Sequence, residues 1–185
     1  MPVVSSNMTF LNKIAPAFSL RDTLSGKVLS LSQLKSEKAT VIVFMCNHCP
    51  FVKHIRQELI DIANQYIPKG ISFITISAND PSDYPEDSSE NMGKVAKELQ
   101  FPFPYLYDET QEVAKAYHAV CTPDFFVFDG DLKCVYLGQF DDSRPGNTIP
   151  VTGKDLKLVL DCLLKGEPVP QDQKPSIGCS IKWKN

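Results

Sequence analysis

The feature that most constrains this chain is an apolar run followed at once by a change of period. Thr40-Val41-Ile42-Val43-Phe44-Met45 is largely β-branched and aromatic, which suits a strand buried on both faces. After Pro50, the residues Phe51, Ile55, Leu59, Ile62 and Tyr66 recur every three to four positions, the spacing of one apolar helical face, and Pro68 with Gly70 mark its end. Between the two lies Cys46-Asn47-His48-Cys49. The order is therefore strand, Cys-x-x-Cys, helix. Ile71–Ser77 reads as a second core strand, so the unit is predicted to be a parallel, right-handed β-helix-β crossover.

That context gives the motif its chemistry. Cys46 closes the strand and Cys49 opens the helix, where unpaired backbone N–H groups and the positive end of the helix dipole stabilise a thiolate. Two intervening residues on a helical turn bring both sulfurs within disulfide reach. Cys46 is expected to be the exposed nucleophile and Cys49 to resolve the mixed disulfide. His48 adds a hydrogen-bond donor, and a charge when protonated, beside the sulfur. Of the other cysteines, Cys134 and Cys162 fall in a predicted strand and helix and read as packing. Cys121 reads equally as a third redox thiol or as a small buried side chain. Cys179 reads as uninvolved, although it could fold back as a resolving thiol. A metal site made of Cys46, Cys49 and a histidine is the alternative from another class, since thiolates suit zinc and copper(I). Neither His54 nor His118 has motif spacing for it.

The remaining sequence supplies a frame. Ala17–Leu20 and Val28–Leu31, joined through Ser25-Gly26, read as an N-terminal hairpin, with a helical turn at Ser32–Lys35. Asn79–Asp87 reads as an exposed loop, and Ser89–Gln100 as an inserted, polar-faced helix. Tyr105–Tyr107 is a short strand, and Asp108 with Gln111 resembles a capping box opening a helix at Glu109–His118. Phe125–Phe128 and Cys134–Phe140 form an antiparallel hairpin, Asp141-Asp142-Ser143-Arg144 a solvated turn, and Leu156, Val159, Leu160, Leu163 and Leu164 the stripe of a last helix. Residues 1–185 read as one domain, with Glu167–Asn185 a Pro-containing tail. Hydrophobic residues at 43%, charged residues at 22% and a net charge of −3 exclude a disordered or strongly basic chain, so no nucleic-acid partner is expected. No leader or apolar span is evident, which predicts a cytoplasmic protein with no membrane association, where thiols are kept reduced.

Ala15-Pro16-Ala17-Phe18-Ser19-Leu20, Gly26, Leu31-Ser32-Gln33-Leu34, the Cys46–Pro50 motif and Thr122-Pro123-Asp124-Phe125-Phe126-Val127 together resemble the thioredoxin superfamily. The resemblance, over roughly residues 14–165, is to its redoxin branch of alkyl hydroperoxide reductase/thiol-specific antioxidant proteins and related thiol–disulfide reductases. It implies an α/β thioredoxin fold: a central mixed sheet flanked by helices, with the N-terminal hairpin and the inserted helix as additions. It also implies that Pro123 is a cis-proline packed against the redox pair and that Thr122 pairs through its backbone with an extended substrate. Asn47, His48, Pro50, Cys121, Thr122 and Pro123 are then neighbours of catalytic Cys46 and Cys49.

The implied activity is thiol–disulfide exchange with a disulfide-containing protein or small molecule, reset by an external thiol reductant, with no metal or organic cofactor. The alternative within this branch is a peroxiredoxin-like peroxidase, an antioxidant in which a Cys46 sulfenic acid is resolved by Cys49, Cys121 or Cys179. Two positions depart from the pattern. Thr40 stands where thioredoxins place a buried aspartate, which leaves the proton acceptor for Cys49 unassigned. Val43 stands where peroxiredoxins of this branch carry threonine, which argues against efficient peroxide reduction.

Overall fold

The structure is a computed structural model and describes residues 2–185. Strand β1 (Val3–Ser5) is followed by the hairpin β2 (Ser19–Asp22) and β3 (Val28–Ser30), paired antiparallel with Ser19 opposite Ser30. Helix α1 (Leu31–Leu34) carries a complete capping box, Ser30 with Gln33. Next come β4 (Ala39–Phe44), α2 (Pro50–Tyr66) and β5 (Ile71–Ser77), and β4 and β5 pair in parallel as the crossover requires.

All six residues of β4 are buried, and they alternate between two cores. Val41 and Val43 pack with the apolar faces of α2, the inserted helix α3 (Ser89–Glu98) and the last helix α5 (Lys154–Lys165). Ile42 and Phe44 pack on the other face with Phe10, Tyr117 and Phe126. Each such side chain contributes roughly 1.5–3 kcal/mol on burial, so a one-residue slip would cost this strand its partners on both faces.

Beyond α3 lie β6 (Tyr105–Tyr107), α4 (Glu112–Ala116), β7 (Cys121–Thr122), β8 (Asp124–Asp129), β9 (Cys134–Gly138) and β10 (Ile177–Ser180). The main sheet has the order β3-β2-β6-β5-β4-β8-β9 and is mixed: β4, β5 and β6 run parallel, whereas the other pairings are antiparallel. A second sheet, β1-β10-β7, joins the two ends of the chain.

Three local readings are corrected. The helix expected at Glu109–His118 is confined to Glu112–Ala116, because Gln111 adopts a left-handed conformation (φ 65°) instead of capping. Its amide donates to Ala78 O and Lys182 O, while Asp108 Oδ2 accepts from Ala114 N. The Asp141–Arg144 turn is not solvated throughout, since Asp141 and Ser143 are buried. Asp141 accepts from the backbone N–H of Ser143, Thr152 and Gly153 and so fixes the approach to α5. The segment read as a tail contributes β10. Gly178 permits this close approach, for a Cβ there would stand 2.0 Å from Thr122 O.

Candidate functional site

Cys46 lies two residues beyond the end of β4, and Cys49 is the residue immediately before α2, with Pro50 at its first position. Proline suits that position because its missing N–H would have had no helical partner. β7 and the cis Thr122–Pro123 bond lie against the same junction. Cys46 Sγ is 3.5 Å from Thr122 Oγ1 and 3.7 Å from His48 Nδ1, and Cys49 Sγ lies 3.2 Å from Thr122 O. The motif and the Thr122-Pro123 pair therefore form one cluster. Cys121 is beside it, but its thiol donates to Pro123 O at 3.8 Å and burial pushes it well above the ordinary thiol range.

Both sulfurs are covered, Cys46 at 1% exposure and Cys49 at 0%, which corrects the expectation of an exposed first cysteine. The cover is the segment read as an exposed loop. Tyr84 stacks on the His48 ring with centroids 3.9 Å apart, and a 3-10 turn, Pro85–Asp87, delivers the fully buried Asp87 carboxylate to the motif. Asp87 Oδ1 accepts from Asn47 N at 2.8 Å and His48 N at 3.0 Å, which are backbone donors just ahead of α2. Oδ2 pairs with His48 Nδ1 and accepts from Asn79 Nδ2 at 2.9 Å. Asn47 is locked in turn: its amide donates to Glu86 O, and its Oδ1 accepts from Tyr105 OH. Sequence reasoning missed Asp87, Asn79 and Tyr84, for they lie in a Pro-, Asp- and Ser-rich stretch with no periodicity to betray burial.

The electrostatics follow from these contacts. Cys46 donates its proton toward Cys49, and with burial and the nearby Asp87 charge this holds Cys46 well above the usual range. Cys49 is pulled down to about 5 by that hydrogen bond, with further help from Cys179, Thr122 and the Val52 backbone N–H. The dithiol thus carries one thiolate and one proton between two sulfurs. Because Cys49 ionises above a pKa of about 5, the ultraviolet thiolate absorbance of the reduced protein is expected to stay constant from pH 8 to pH 6 and to fall through about pH 5. Cys49→Ser should abolish that transition; a midpoint near ~8.5, the value of an unperturbed thiol, would contradict the assignment.

The donor atoms of Cys46, His48 and Asp87 lie within 4.8 Å of one another, a set that could hold a metal ion and overlaps the expected Cys46, Cys49 and histidine set at two positions. His118 lies elsewhere, paired with Thr9 Oγ1 at 2.9 Å. Beside the cis-proline runs a cleft lined by Phe51, His54, Pro123, Phe140 and Arg144. Arg144 is fixed there by bonds to Asp141 O, Ser143 O and Gln139 Oε1. Cys134 and Cys162 are buried in β9 and α5, in keeping with packing. No helix among the described residues is long and apolar enough to cross a membrane.

The sequence pattern of the AhpC/TSA family matches residues 11–137. The chain is 65% identical to an uncharacterized conserved protein from Geobacillus kaustophilus, and the two structures superpose with a TM-score of 0.98 over 100% of this chain and 97% of that one. A hypothetical protein from Sinorhizobium meliloti 1021 is 44% identical, with a TM-score of 0.94 over 97% of this chain and 98% of its own. The thioredoxin domain of a thiol-disulfide oxidoreductase from Bacteroides vulgatus shares the fold at 21% identity, with a TM-score of 0.57 over 69% of this chain and 86% of that domain. The mixed sheet flanked by helices is thus a thioredoxin fold. No curated protein sequence matches the chain.

Proposed function

The chain belongs to the AhpC/TSA family, and from that premise we propose that Cys46 and Cys49 are the dithiol/disulfide couple of a thiol–disulfide oxidoreductase. The observation that carries this reading is geometric: both sulfurs sit at the strand–helix junction, each within reach of Thr122 beside the cis-proline.

Attack by Cys46 on a substrate disulfide passes its proton to the Cys49 thiolate, forms a Cys46–substrate disulfide and expels the other substrate sulfur as a thiolate. Cys49 then attacks Cys46 Sγ and its proton leaves with the second substrate sulfur, giving a Cys46–Cys49 disulfide. At 1% exposure, Cys46 meets a substrate only after the covering segment moves aside. An external thiol reductant resets the couple, and the cytoplasm supplies the reducing surroundings. This reading is preferred to peroxide reduction because Val43 stands where the peroxiredoxins of this branch, which the chain resembles, carry threonine.

Equilibration with glutathione buffers, read by mass spectrometry of the tryptic peptide that holds both cysteines, is expected to show a two-electron loss of two hydrogens within that peptide, which vanishes in both Cys46→Ser and Cys49→Ser. Persistence of both free thiols at every poise would overturn the reading.

A further inference from the structure

The third thiol at this site comes from the far end of the chain. β10 pairs antiparallel with β7, and the register sets Cys179 opposite Thr122, the residue whose backbone the family resemblance assigns to an extended substrate. The protein's own C-terminal strand therefore holds that edge. It is fastened to the cover of the site as well: Lys182 N donates to Asn79 Oδ1 at 3.0 Å, and Asn79 in turn bonds Asp87. Cys179 is buried, at 2% exposure, and its sulfur lies 2.9 Å from Cys49 Sγ, inside the contact distance of two unbonded sulfurs.

We propose that Cys179 is an internal exchange partner of the redox couple, accepting the disulfide from Cys46–Cys49 as a Cys49–Cys179 bond. The inference rests on the couple proposed above. In the exchange, Cys179 sulfur attacks Cys49 Sγ, the Cys46–Cys49 bond breaks, and Cys46 departs with the bonding electron pair. The proton lost from Cys179 ends on Cys46, so one thiol is oxidised as another is reduced and no outside oxidant is consumed. Burial pushes the Cys179 thiol up to about 12, so attack depends on that proton transfer. The outcome is functional: oxidation is stored under β10, and Cys46 becomes a thiol again.

The test is oxidation of the full chain with diamide, followed by alkylation and non-reducing peptide mapping. Cys46 and Cys49 share a tryptic peptide, so their disulfide shows as a loss of two hydrogens within it, whereas Cys49–Cys179 joins two peptides. Wild type is expected to yield both linkages, and Cys46→Ser to yield Cys49–Cys179 as its main product. In Cys179→Ser, and in Cys179→Ala as a check on folding, only Cys46–Cys49 should form, with alkylation of Cys46 at least tenfold below wild type. If Cys46–Cys49 forms but no Cys49–Cys179 peptide is found in wild type or Cys46→Ser, the exchange is overturned while the couple stands. If Cys46–Cys49 fails to form even in Cys179→Ser, the couple is overturned and the exchange with it.

Discussion

Replacing Asp87 with alanine is expected to destabilise the fold by about 3–5 kcal/mol and to slow disulfide reduction at least about a hundredfold. The carboxylate is fully buried and satisfies Asn47 N, His48 N, Asn79 Nδ2 and His48 Nδ1, all drawn from segments that enclose the redox pair. Alanine leaves those donors buried without an acceptor, and each unsatisfied group costs about 1–3 kcal/mol unless water enters. The motif also loses the anchor that sets its position against Thr122, and misplacement by about 1 Å is enough for a hundredfold loss.

Asp87→Asn separates charge from shape. Its amide oxygen still accepts from the two backbone N–H groups, but the negative charge that, after the Cys49 interaction and burial, helps to hold Cys46 up is gone. Cys46 should then ionise at lower pH than in the parent, a change that a purely structural residue would not produce. Urea unfolding, turnover of a small disulfide and thiolate absorbance check the three effects. An alanine variant within about 1 kcal/mol of the parent and with normal turnover would sink the argument.

Asp87 also shows where sequence reasoning stops. The strand–motif–helix unit was legible because its signals are local: β-branched residues in β4, a period of three to four in α2, and proline at the start of the helix. The cis-proline partner followed from the family resemblance. The cover of the site was not legible, because its parts meet only in three dimensions. Asp87 and Asn79 look like loop residues, but Asp87 is held by backbone donors some forty positions away and Asn79 by the Lys182 N–H, 103 positions away. β10 is four residues, Ile-Gly-Cys-Ser, without alternation, and its partners β1 and β7 lie more than fifty positions away along the chain. Gly178 was the one local hint, and only the neighbouring Thr122 carbonyl explains it.

The second large effect belongs to Asp124, the first residue of β8, which is fully buried with neither carboxylate oxygen in a well-formed hydrogen bond. Burial raises it to about 7, opposed by the nearby hydroxyls of Ser6 and Ser176 and the backbone N–H of Val120 and Phe125, which approach without closing a good bond. In the unfolded chain the same group titrates near ~3.9. Between about pH 4 and pH 7 the folded protein therefore holds a proton that the unfolded chain has released, and stability falls as pH rises through that window. A shift of about three units corresponds to roughly 4 kcal/mol.

Cys49 acts in the opposite sense, since its lowered pKa adds stability as pH rises above about 5, so the parent profile alone mixes the two. Asp124→Asn isolates the carboxylate because Cys49 is common to both proteins. The stability of the asparagine variant relative to the parent should grow by about 4 kcal/mol from pH 4 to pH 8, measured by urea unfolding of the reduced proteins. A difference that stays constant with pH would mean that Asp124 is ionised in the fold throughout, with β1 and the segment before β10 supplying hydrogen bonds to it.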